Sequence, residues 1–227
     1  MIRLACVLPL FALAGCAGSV QLEELAPFGG AASAVWLHWD DSNYDSVVLT
    51  NVPNACAKWV AFAETTKDLA QEIDDFDQDD FCEESHDLTM AVARAGDALF
   101  HEGVHTLSLG VYEGGSTEPD EETYEVGDNK RSLSGTLTYY ENSPYAAYLA
   151  DWDVDEDRDD NCGVDYDDLE TKTDQWTLDD GELEVGRLMD ERSLSARLAG
   201  DLKDRDDDDD AGEIRASFTA TWCEVDF

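Results

Sequence analysis

Apolar and polar residues alternate along most of the chain, and the period of that alternation changes from segment to segment. Residues 33–38 (SAVWLH) and 46–50 (SVVLT) are short apolar runs rich in Val, Leu and Trp. The turn-like DDSNYD parts them, and together they predict two strands. Asn51 to Asn54 (NVPN) breaks the second strand. From Cys56 the spacing becomes helical: Trp59, Phe62, Thr66, Leu69 and Ile73 recur every three or four residues and, Thr66 apart, are apolar, which predicts a helix over 56–73. In 87–95 (DLTMAVARA) Leu88, Met90 and Val92 alternate and favour a strand, although Met and Ala also suit a helix; Gly96-Asp97 would then turn the chain. Further strands are predicted at 104–112, where Leu107, Leu109 and Val111 alternate, and at 133–140, 144–150, 174–178, 182–188, 193–199 and 212–222. Such spacing, with turn-rich loops between, predicts a mainly β domain of β-sandwich type with one helix near 56–73 covering a face or an end; α+β is the alternative. No internal repeat is evident.

The first residues follow another pattern. MIRLACVLPLFALAGCAGS opens with one positive charge, Arg3, followed by ten apolar residues from Leu4 to Leu13. That run is shorter than the roughly 20 residues a membrane-spanning helix needs and has the length of a signal-peptide core. Small residues lead from it to Cys16 through Leu13-Ala14-Gly15. This segment resembles bacterial lipoprotein signal peptides. The resemblance implies cleavage after Gly15, diacylglycerol on the Cys16 sulfur and acylation of the new amino terminus, and several acyl chains together give stable anchoring. It also implies the outer membrane, because Ala17 stands where Asp would retain a lipoprotein at the inner membrane. An ordinary secretory signal is the alternative, and both readings export the protein. The expected organisation is therefore a signal peptide over 1–15, a tether over 16–31 and one β-rich, disulfide-bonded domain over 32–227.

Charge narrows the partners. The chain carries 54 acidic and 14 basic residues, a net charge of −40. Such a field repels nucleic acid and anionic lipid surfaces, attracts cations, and costs stability by self-repulsion at low ionic strength. Stability is expected to rise with salt as the charges are screened. A hydrophobic content of 43% and six tryptophans point to a folded chain all the same. Removal of the first 15 of 227 residues leaves 212, enough for one sizeable core. Of the six cysteines, Cys6 departs with the signal and Cys16 takes lipid. Cys56, Cys82, Cys162 and Cys223 remain, an even set that in an exported domain reads as two disulfides. Three pairings are possible. Cys56–Cys82 with Cys162–Cys223 is favoured, because each bond stays within one half of the chain. A zinc site on these cysteines is disfavoured, since no two have CxxC spacing.

Two metal readings deserve weighing. His101-Glu102-Gly103-Val104-His105 is formally HExxH, the motif that zinc metallopeptidases carry on a helix. There His101 and His105 would share one face and bind zinc, and Glu102 would activate its water. Against this, Gly103 costs about 1 kcal/mol inside a helix. The residues that follow alternate as a strand, where positions four apart are separated by roughly 13 Å. Loop entering strand is the expected local structure. His38 and His86 have no partner spacing. Calcium is suggested by alternating acids at Asp151, Asp153, Asp155 and Asp157, and at Asp75, Asp77 and Asp79. Neither series fits an EF-hand: counted from Asp153, Arg158 falls where Gly is needed and Val164 where Glu is needed. Residues Asp153 to Cys162 resemble thrombospondin-type calcium repeats, with Glu156 at their glycine position. Solvated acidic loops are the competing reading. No GxSxG, Walker or dinucleotide-binding loop is present.

The stretch Gly212 to Cys223 has the form GxxxASFxATxC. In this the chain resembles a loose class of exported β-rich bacterial lipoproteins that end in such a strand. The function expected is that of a lipid-anchored envelope or surface protein in a structural or binding role, with the membrane reached through Cys16 and divalent cations or a protein as candidate partners. A zinc-dependent hydrolase using HEGVH and a calcium-binding surface domain are the alternatives.

Overall fold

A computed structural model describes residues 19–22, 33–39, 45–73, 75–76, 80–113, 122–156, 158–165, 171–189, 193–206 and 209–225. The signal segment 1–15 and Cys16 lie outside the described residues, as do Asp77, Asp79 and Asp157. Within the expected tether, Ser19–Leu22 is a strand, β1.

The predicted strands 33–38 and 46–50 are β2 (Ser33–Trp39) and β3 (Asp45–Thr50). β4 is His105–Glu113, β5 Thr123–Val126 and β6 Arg131–Tyr140. β7 (Thr173–Met189), β8 (Ser193–Asp204) and β9 (Asp210–Val225) complete the sheet. The fold is mainly β, as the patterning predicts. The sheet, however, is single and closed instead of split into two layers. β9 pairs antiparallel with β8 along one edge and parallel with β2 along the other, from Val35↔Thr221 to Trp39↔Val225. From β2 the pairing runs through β3, β4, β6 and β7 back to β8, which completes a seven-stranded barrel. Two short strands fill its seams. β5 fits between β6 and β7 where these diverge, and β1 lies on the β9 edge beside Ile214 to Ser217.

Inward side chains fill the barrel, so the lumen is a core. Trp36, Leu49, Leu107, Leu109, Tyr124, Leu183 and Phe218 belong to one buried cluster. A strand buried on both faces reads as an unbroken apolar run. β2 is such a strand: Ala34 and Trp36 point into the barrel, while Val35 and Leu37 point outward and are just as buried. Their outer cover is the helix α1 (Ala55–Glu72), which lays Ala55, Trp59, Val60 and Ala63 against Val35, Leu37, Val48 and Val225.

The helical part is larger than predicted. After α2 (Phe81–Glu84), the segment 87–95 belongs to α3 (His86–Phe100) rather than to a strand. Met90, Ala93, Gly96 and Leu99 form its buried face at a spacing of three. Gly96 does not turn the chain; it sits mid-helix because the Tyr145 ring packs directly on its Cα. The predicted strand 144–150 is largely the short helix α4 (Ala146–Asp151), packed on α3. Trp59, Phe62, Phe100, Tyr140 and Tyr145 join the helices to β6, with ring centroids between 5.4 and 6.4 Å apart. The edge-to-face pairs among them, Trp59–Phe100, Phe62–Phe100 and Phe62–Tyr145, contribute about 0.5–1.5 kcal/mol each beyond the area they bury. The segments predicted as separate strands at 174–178 and 182–188 are one strand, β7, with a register shift between Leu178 and Asp180.

Candidate functional site

The HEGVH segment is not helical. α3 ends at Phe100, His101 is extended (φ −75°, ψ 170°), and Gly103 has φ +82°. β4 then begins at His105. Gly103 N–H donates to Tyr140 O at 2.9 Å, and Tyr140 N–H donates to Val104 O at 2.9 Å, so the turn continues the ladder with β6. The Asn51 side chain braces it from β3's end: its amide donates to Gly103 O at 2.9 Å and its oxygen accepts from His105 N–H at 3.0 Å. His101 and Glu102 are exposed, whereas His105 is buried against the Tyr139 ring, with centroids 4.6 Å apart. Burial lowers the His105 pKa, and a hydrogen bond with the Gly103 backbone partly opposes this. The helical face that would align His101 and His105 on one zinc ion, with Glu102 beside it, is therefore not formed. A left-handed glycine between the two histidines replaces it.

The disulfides pair differently from the favoured expectation. Cys56 bonds Cys223, and Cys82 bonds Cys162. The reason lies in α1. Its 18 residues hold its ends about 27 Å apart at 1.5 Å per residue, so Cys56 at its start is remote from Cys82 beyond its end. Its apolar face presses that start onto β9 instead, where Cys223 waits.

The second bond has a chemical consequence. It joins two strongly acidic segments of the chain: residues 72–84, with eight acids, and residues 151–170, with eleven. Trp152 Nε1–H donates to Cys82 O at 3.1 Å and Asp153 N–H donates to Cys162 O at 2.8 Å. Asn161, Cys162 and Gly163 are left-handed in succession, with φ of 56°, 52° and 78°. This tight reversal puts Gly163 against Asp151 and Asp153, where a Cβ would crowd. Asp153 accepts from Asp155 N–H at 3.0 Å, so its carboxylate is engaged in an Asx turn. Asp151, Asp153 and Asp155 are all exposed. Among the described residues, no three His, Cys, Asp or Glu side chains converge to hold an ion.

A third acidic feature has no sequence signal. On the outer wall, Glu125 lies opposite Glu182, Asp180 opposite Asp201, and Asp201 opposite Glu213. With Arg215, whose guanidinium reaches Glu213 at 2.8 Å, these carboxylates line an open hollow of about 430 Å³. Gly181 and Gly200 make it possible: their backbones approach so closely across β7 and β8 that neither admits a Cβ. The acids come from four strands, which is why linear reading overlooks them.

Compared with protein-family models, with curated proteins and with solved structures, the chain matches none.

Proposed function

We propose that the chain is an exported, lipid-anchored envelope protein, held by Cys16 at the outer membrane, whose disulfide-bonded barrel serves a structural or binding role. The observation that carries this reading is the pairing of Cys56, Cys82, Cys162 and Cys223 into two long-range bonds. Such bonds form and persist in oxidising compartments outside the cytosol. The lipoprotein-like start of the chain supplies the address. Partners follow from charge: at −40 the chain favours divalent cations or a basic protein surface over nucleic acid. Fractionation of cells making the wild type and Cys16→Ser is the test. Lipid mass on Cys16 and outer-membrane recovery, lost in the variant, are expected; identical fractionation of the two would refute the anchor.

A second reading, calcium binding by the acidic segments, is favoured by the Cys82–Cys162 bond that brings them together. Millimolar calcium should then raise the melting temperature beyond the rise given by sodium chloride of equal ionic strength. Equal rises would retire it.

A further inference from the structure

We infer that β1 is a releasable joint between the lipid anchor and the barrel, and that its docking sets how close the acidic domain sits to the bilayer. This rests on lipid attachment at Cys16. Among the described strands β1 pairs only with β9, over four residues from Ser19↔Ser217 to Leu22↔Ile214. Every other strand of the barrel pairs along both sides. A four-residue strand held on one side belongs to the low end of local stability and opens without unfolding the rest.

The two states differ in reach. Cys16 precedes Ser19 by three residues, which span at most about 10 Å. With β1 docked, the anchor is thus tied close to the barrel wall beside Ser217. With β1 released, 17 residues separate Cys16 from Ser33 at the start of β2, and a chain of that length reaches at most about 60 Å. The Debye length is about 8 Å at physiological ionic strength. The docked state therefore holds a strongly acidic body within range of repulsion from an anionic bilayer, and the released state lets it withdraw. Low salt and anionic lipid pull the joint open; salt and neutral lipid let it close.

Hydrogen exchange on the mature lipidated protein tests this. The protein is placed in vesicles of phosphatidylcholine alone or with phosphatidylglycerol, at low and high sodium chloride. The β1 amides that face β9, alternate ones among residues 19–22, should be protected in neutral vesicles and exchange severalfold faster in anionic vesicles at low salt, with protection recovered at high salt. Val20→Pro/Gln21→Pro, which removes whichever N–H of this adjacent pair faces β9 and stiffens the strand, should abolish protection of the remaining β9-facing amide in every condition. Circular dichroism on the same variant should show the barrel retained. Residues 19–22 unprotected throughout, or protected regardless of lipid charge and salt, would overturn the joint while leaving the anchor intact. An N-terminal mass with Cys16 unmodified would overturn the anchor, and the joint with it.

Discussion

Asp201 stands in a row of three acids, opposite Asp180 on β7 and Glu213 on β9. All three are exposed. Directly opposed residues have Cβ atoms about 4.5–5.5 Å apart, and like charges so placed are destabilising. Taking the carboxylates as about 6 Å apart in water, each pair costs about 0.7 kcal/mol before screening. Screening leaves about 1 kcal/mol for the two pairs together at 10 mM ionic strength, and about 0.2 kcal/mol at 1 M. Asp201→Asn removes both contacts while keeping the side chain's size. Urea unfolding should therefore show the variant more stable than wild type by up to about 1 kcal/mol at low salt, the Arg215 guanidinium on Glu213 offsetting part of the second pair, with the gain nearly gone at 1 M sodium chloride. Asp174→Asn is the control. It makes the same change on an exposed position of β7, but faces Tyr139 and so reports only the one-unit change in net charge. Equal gains from the two variants, or a gain at Asp201 that ignores salt, would refute the argument from strand register.

Three further outcomes are expected. Peptide mapping without reduction should recover Cys56 linked to Cys223 and Cys82 linked to Cys162; since the smaller loop lies inside the larger and each bond shortens the loop the other closes, removing both bonds should cost more than the sum of the single losses. His105 should make stability fall on acidification: its folded pKa lies below the ordinary 6.5, so the unfolded chain takes up the proton first, and the loss begins near pH 6.5 and ends below the folded pKa. His105→Leu should flatten that part of the pH profile, and an unchanged profile would assign the loss elsewhere. Gly96→Ala should destabilise despite the better helix propensity of Ala, by up to about 2 kcal/mol in thermal melts, because overpacking against Tyr145 outweighs the gain; in a Tyr145→Ala background the same change should stabilise.

The elements read correctly from sequence are those whose burial follows from their own spacing. β2, β3, β4 and β6 alternate or run apolar, and α1 shows its period from Trp59 to Leu69, about three turns, whereas Ile73 lies just past its end and is exposed. The segment 87–95 misleads because Leu88, Met90 and Val92 mimic a strand, while the true buried face uses Ala93 and Gly96, small residues with little hydrophobic signal. Gly96 reads as a turn until Tyr145 is known to fill the space above it. Asp179-Asp180-Gly181 likewise suggests a break in β7, yet it is a register shift that the glycine pair Gly181 and Gly200 accommodates. The disulfide pattern depends on which helix end meets which strand, a matter of packing that cysteine spacing does not encode. Of the candidate site, the acidic segments were legible; their clasp and the carboxylate row on the outer wall depend on pairing between distant strands.

Closure of the barrel also bears on how the protein behaves in brine. Mutual repulsion keeps so acidic a chain dispersed in dilute buffer, but dissolved salt weakens that protection as it stabilises the fold. Many β proteins would then associate through unpaired strand edges. Here β9 joins β8 to β2 and β1 covers Ile214 to Ser217, so with β1 docked the described sheet offers only short edges for another molecule to extend. Where charge no longer keeps neighbouring molecules apart, the ring of strands itself guards against fibre growth.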